Sequence, residues 1–138
     1  MTERYNSSRE AEAAFYRAFE QGDLAAMVQL WDEGNDIVCV HPMSSALRGA
    51  RDVMEAWREI LSGGVDMRFA IEEIHISQTG PIAIHIVKEH IAVPGGKPVA
   101  PMTATNVYRE TAAGWRMILH HSSPSPGIPV GRSEPLMH

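Results

Sequence analysis

The chain opens on helical spacing. In SSREAEAAFYRAFEQGD the apolar residues Ala11, Ala14, Phe15, Ala18 and Phe19 recur three and four apart behind Ser8, Glu10 and Glu12, which predicts an amphipathic helix ending at Gly22. Asp23 can cap a second, shorter helix through LAAMVQLW, with Leu24, Met27, Val28 and Trp31 on one side. DIVCVHP then reads as a strand, Ile37 and Cys39 on one face and Val38 and Val40 on the other, stopped by Pro42. After MSSALRG, the residues Val53, Met54, Trp57, Ile60 and Leu61 return to helical spacing up to Gly63 and Gly64, a third helix. From Val65 onward the period falls to two. The stretches DMRFAIEEIHISQTG, PIAIHIVKEHIAVPGG, KPVAPMTATNVYRETAAG and WRMILHHSSPS predict four successive strands joined by glycine-containing turns. Three helices ahead of such a meander predict an α+β domain, with the helices on one face of a strongly curved, mostly antiparallel sheet. A sheet closed in this way encloses a cone, and the wide end of a cone is a natural pocket.

Composition narrows the setting. With 138 residues and 44% apolar content the chain suits a single domain over residues 1–138. A proline-rich tail over 126–138 has little apolar surface to bury and is expected to be extended or disordered. A net charge of −5, from 12 basic and 17 acidic residues, argues against nucleic acid as a partner. Cys39 is the only cysteine, which excludes an intrachain disulfide and a thiolate metal cluster and suits a reducing cytoplasm. No basic-then-apolar leader and no apolar run near the roughly 18 residues of a membrane span is visible, so no membrane association is expected.

The residues Gly22-Asp23, Trp31, His41-Pro42, Leu47 with Gly49, Trp57, Thr105-Asn106-Val107 with Arg109, and Gly114-Trp115 through His121 and Ser123 follow an order that resembles the nuclear transport factor 2-like superfamily, especially its SnoaL-like branch. The resemblance covers about residues 9 to 125 and implies a cone-shaped, cystatin-like α+β barrel. It is specific to a fold and not to a reaction, since that superfamily holds isomerases, cyclases, dehydratases and association modules. Against the ketosteroid isomerases, the resemblance sets His41-Pro42 where those enzymes keep an Asp-Pro whose carboxylate moves a proton. It sets Phe15 in place of their oxyanion-binding tyrosine, with Tyr16 adjacent, and Asn106 in place of their second, acidic donor. By the same likeness the Trp115 side of the last strand faces the cavity, and these folds commonly pair through the outer sheet face.

Imidazole titrates near neutrality, so His41 at the rim of an apolar cavity can take a proton beside a carbonyl and return it elsewhere. The competing role is structural, because a residue held extended before proline can simply bond a loop carbonyl. Along the last strand Trp115, Met117, Leu119, His121 and Ser123 alternate onto one side, and Arg116, Ile118, His120 and Ser122 onto the other. With the Trp115 side inward, His121 projects into the cavity toward Asn106 and His41, and His120 lies outside. His121 and Asn106 then orient a substrate or stabilise developing charge. The alternative for His121 is a satisfied core histidine. In PIAIHIVKEH, His85 and Glu89 share one face, and Lys88 and His90 the other. Glu89 either orients a histidine or is a solvated or cross-strand-paired charge. Phe15, Tyr16, Trp31, Trp57, Phe69, Met102 and Leu119 are candidates for the pocket wall or the core beneath it. No metal is assigned, because His41, His85, His90 and His121 form no paired ligand motif, and no cofactor is assigned. Two functions stay open: a cofactor-independent isomerase, cyclase or dehydratase binding a small apolar or ring-shaped molecule, and a non-catalytic binding or association module. A homodimer through the outer sheet face suits both.

Overall fold

The structure is a computed structural model that describes residues 3–64 and 66–126. The expected tail, apart from Pro126, lies outside the described residues.

The predicted helices form where the spacing put them. Helix α1 (Ser8–Gln21) is capped by Ser7, whose hydroxyl accepts from the Glu10 amide, and it ends at Gly22 in the left-handed region, φ 64°. Helix α2 (Leu24–Leu30) starts at Asp23, whose carboxylate accepts from the Ala26 amide. The chain then makes β1 (Val38–Val40), β2 (Leu47–Arg48) and α3 (Gly49–Leu61). The meander follows as β3 (Arg68–Thr79), β4 (Ile82–Ala92), β5 (Met102–Thr111) and β6 (Gly114–Pro124). The six strands lie in the order β2-β1-β6-β5-β4-β3, antiparallel except where β1 runs parallel to β6.

Helices α1 and α3 cover the inner face of this sheet. The core between them holds Phe15, Trp57, Tyr108, Met27, Leu30, Ile37, Met117 and Val53, all fully buried. Its aromatic members meet edge to face: Trp57 lies 5.6 Å from Phe15 and 4.9 Å from Phe19, centroid to centroid. The N-terminal segment closes one end of the sheet, with the Trp115 amide donating to the Tyr5 carbonyl. At Gly114, φ 102°, a Cβ would come within 2.8 Å of that same Tyr5 carbonyl, so only glycine permits this approach.

Two bulges decide which side chains reach the interior. In β3 the register shifts between Glu73 and His75, and Ile74 is turned out to solvent. In β6 it shifts opposite Val107 and Tyr108, which pair with Leu119 and Met117 and leave Ile118 unpaired. One extra residue inverts the alternation beyond it. Trp115 and Met117 therefore point inward as expected, but His120 and Ser122 follow them, and Leu119, His121 and Ser123 do not.

Candidate functional site

The inner face of the sheet and one face of α1 enclose a line of polar side chains. Ser8, Glu12 and Tyr16 stand four residues apart on α1 and so share a face. Opposite them, β4 supplies His85 and Glu89, β5 supplies Asn106 and Tyr108, and β6 supplies His120 and Ser122. The Glu12 carboxyl accepts from Asn106 Nδ2 and the Tyr108 hydroxyl on Oε1, each at 3.0 Å, and faces His85 Nδ1 at 3.0 Å on Oε2. His85 Nε2 meets the Ser8 hydroxyl at 2.9 Å. Asn106 Nδ2 also donates to the Tyr16 hydroxyl, which in turn donates to Glu89 at 2.6 Å, and Ser122 donates to the other Glu89 oxygen at 2.9 Å. Ser8, His85 and Glu12 stand in the order of a hydrolase triad. Ser8 and His85 are both buried, however, and the arrangement ties α1 to β4.

This line fixes the state of His120. Asn106 spends its amide donors on Glu12 and Tyr16, so its Oδ1 faces His120 Nδ1 at 2.6 Å. A carbonyl oxygen only accepts, hence Nδ1 carries the proton and Nε2 holds the lone pair. His120 is 1% exposed, and burial, reinforced by His41 and His121, lowers its pKa to about 3. His121 is exposed on the outer face, so the expected inward histidine is His120 and not His121. Glu89 is buried and bonds no histidine; burial pushes its carboxyl above the ordinary range, and the Tyr16 and Ser122 hydrogen bonds only partly oppose that. The Tyr16 phenol is held well above its usual value by burial and by Glu89 beside it.

His41 ends β1 at the rim, half-buried, with its ring 4.8 Å from Trp57 and 6.4 Å from His120. Among the described residues its side chain bonds no loop carbonyl; its Nε2 lies 3.4 Å from Cys39 Sγ. Burial pushes the Cys39 thiol up to about 12 and lowers His41, so both are neutral at pH 7. A thiol donates and accepts weakly, so the ring can exchange its proton between Nε2 and Nδ1 at little cost. His41 walls a cleft of about 450 Å³ between the β1–β2 loop and α3, with Ser44, Ser45, Leu47, Ala56, Glu59 and Ile60. That volume suits a small organic molecule.

The pattern of a SnoaL-like domain matches residues 9–127 of this sequence. The chain belongs to the SnoaL-like domain family. Among solved structures, this SnoaL-like chain is similar to a protein from Thiobacillus denitrificans described as a calcium/calmodulin-dependent protein kinase type II association domain. The two are 34% identical over 89% of this chain and 98% of that one, with a TM-score of 0.85. A protein from Streptomyces avermitilis described as a dehydratase of the NTF2-like family is 33% identical over 87% and 94%, with a TM-score of 0.79. The F-box protein SKIP8 of Arabidopsis thaliana is 25% identical over 109 residues, and the match spans 79% of this chain but only 46% of that protein. Neighbours at 12% and 13% identity share the cystatin-like fold.

Within this SnoaL-like frame the expected site residues divide. His41 reaches a cleft; Asn106 and Tyr16 lie in the buried line behind it, with Phe15 and Trp57 packed between. Phe69 and Met102 are half-buried on inward positions of β3 and β5, Phe69 lying 5.4 Å from Tyr16. Leu119 sits on the outer face, and Trp31 lines a separate cleft, so neither belongs to the His41 site. Glu12, Tyr108, His120 and Ser122 were not expected there. The four-residue spacing Ser8, Glu12, Tyr16 was the available signal, a polar stripe on a helix whose other spacings are apolar. Among the described residues no three histidine, cysteine or acidic side chains gather as a metal site, and no helix is long and apolar enough to cross a membrane.

Proposed function

We propose that the chain binds a small, apolar, ring-bearing molecule in the cleft at His41 and moves a proton on it, isomerising, cyclising or dehydrating it without a cofactor. The observation that carries this reading is a neutral imidazole on the wall of a 450 Å³ cleft. A neutral base beside apolar walls removes a proton next to a carbonyl, and as imidazolium it returns the proton at another atom or to a leaving hydroxyl. Leu47, Ala56 and Ile60 supply apolar surface, and the Ser44 and Ser45 side chains can orient oxygen. Asn106 acts at a distance, fixing the His120 tautomer behind Trp57, and burial keeps that ring neutral so that no second charge opposes an imidazolium at His41. The unpaired, buried thiol of Cys39 supports a reducing setting, the cytoplasm.

The test starts from native mass spectrometry of the protein purified without denaturation, to identify a co-purified small molecule. Turnover of that molecule by His41→Ala is expected to fall at least 100-fold, with binding kept within tenfold. Unchanged turnover in His41→Ala removes the catalytic role.

A second reading, an association module, is supported by a row on the outer sheet face. Val38, Leu119, Val107 and Ile84 face one another across β1, β6, β5 and β4 and are half-buried or exposed. In either reading this row is the surface of a homodimer. Light scattering is expected to give a dimer mass for the native chain and a monomer mass for Val107→Lys combined with Ile84→Lys. A native monomer, or a dimer that survives both lysines, excludes this face.

A further inference from the structure

A second cleft, of about 520 Å³, lies between the end of α2 and the β5–β6 turn. Nothing in the His41 chemistry uses it. Its lining includes Arg116, 5% exposed, and Trp31, 2% exposed. The Arg116 guanidinium donates to the carbonyls of Glu3 and Trp115 and stacks 5.2 Å from the Tyr5 ring. Those carbonyl partners satisfy donors but carry no net charge, and among the described residues Arg116 has no ion pair. A buried cation without a counter-ion is costly, so a matching anion is favoured there. The Trp31 indole N–H is also buried without an acceptor. A carboxylate supplies that anion to the guanidinium, while the Trp31 ring, its N–H sealed from the cleft, adds apolar wall.

The rim of the cleft has the opposite character. Asp32 is paired with Arg109, which bonds it through Nε and a terminal nitrogen and also reaches the exposed Asp36. Glu33 is exposed, and among the described residues its carboxyl has no ion pair. Val28, 47% exposed, and Ala112 give the cleft an apolar wall, and Gln29 adds an amide. A lone carboxylate ligand would meet the repulsion of Glu33; one that also carries an ammonium group would not.

We propose that this cleft binds a zwitterionic aminocarboxylate with a short apolar side chain, an amino acid or a peptide of comparable ends. Its carboxylate lies on Arg116, its ammonium on Glu33, and its side chain against Trp31, Val28 and Ala112. The site is independent of the His41 cleft.

The probes are L-leucine, 4-methylpentanoate, which lacks the ammonium, and 3-methylbutylamine, which lacks the carboxylate, titrated into the isotope-labelled protein by NMR. Leucine is expected to shift the Trp31 indole N–H signal saturably, and each truncated probe to bind at least tenfold more weakly. Glu33→Gln changes one exposed side chain and leaves the fold intact. In that variant the preference for leucine over 4-methylpentanoate should shrink to less than threefold. The proposal is overturned by the absence of a saturable shift with leucine, by equal binding of the three probes, or by an unchanged preference in Glu33→Gln. A response confined to His41 would place the ligand in the other cleft and overturn it equally.

Discussion

Replacing Asn106 by leucine is expected to lower the unfolding free energy by about 4 kcal/mol, a large share of the roughly 5–15 kcal/mol that holds a domain of this size. Asn106 is fully buried and bonds three partners, the buried Tyr16 and His120 and the mostly buried Glu12. Leucine fills a similar volume, so little of the cost is a cavity. The cost comes from what stays behind. The buried His120 Nδ1–H loses its acceptor, an unsatisfied group worth about 1–3 kcal/mol, and Glu12 and Tyr16 each lose a donor, Glu12 keeping Tyr108 and His85. Removing every partner together would be cheaper than removing this one, because only the half-satisfied state is penalised. Urea unfolding of Asn106→Leu beside Thr105→Leu separates the two cases. Thr105 neighbours Asn106 on the outer face and should change stability by about 0.5 kcal/mol or less. A loss below about 1 kcal/mol for Asn106→Leu would mean that the polar line is not a stabilising unit.

The same residues show how far a sequence carries. Helix spacing is decided locally, so α1, α2 and α3 are legible, α2 with its Asp23 cap; α1 is capped by Ser7, one residue ahead of Ser8, and α3 starts without a side-chain cap. Strand β2 has two residues, too few for any period to register. The phase of β6 is the informative miss. Its central stretch reads Ile118-Leu119, His120-His121, Ser122-Ser123, each chemical type doubled. Alternation distinguishes faces only when neighbours differ, so a one-residue bulge could pass through that stretch unseen, and it did. His41-Pro42 was legible as a rim position because proline ends the strand wherever the sheet lies. What it faces was not, since the cleft is made by the β1–β2 loop and α3 together. The Glu12 carboxyl was hidden for a related reason: a glutamate on a helix is ordinarily solvated, and only the partners across the cone reveal that Glu12 is mostly withdrawn from water.

Those partners also govern the response to acid, where a loss on the order of 3 kcal/mol is expected between pH 7 and pH 4 through His120 alone. The sign follows from the direction of the shift. The histidine of the unfolded chain takes up its proton near 6.5, whereas in the fold burial holds His120 neutral down to about 3. Between those values the unfolded chain binds more protons, so stability falls as pH falls. Glu89 works the other way, because its folded pKa is raised: the fold protonates it first, which stabilises on acidification through its own range and softens the net slope. His120→Gln keeps a donor for Asn106 but does not titrate. Its stability at pH 7 should be lower than that of the native chain, while its decline from pH 7 to pH 4 should be smaller by about 3 kcal/mol. Parallel slopes for the two proteins would show that His120 charges in the fold as readily as in the unfolded chain. An NMR titration decides the matter at the ring itself, where the His120 signals should hold still to pH 4.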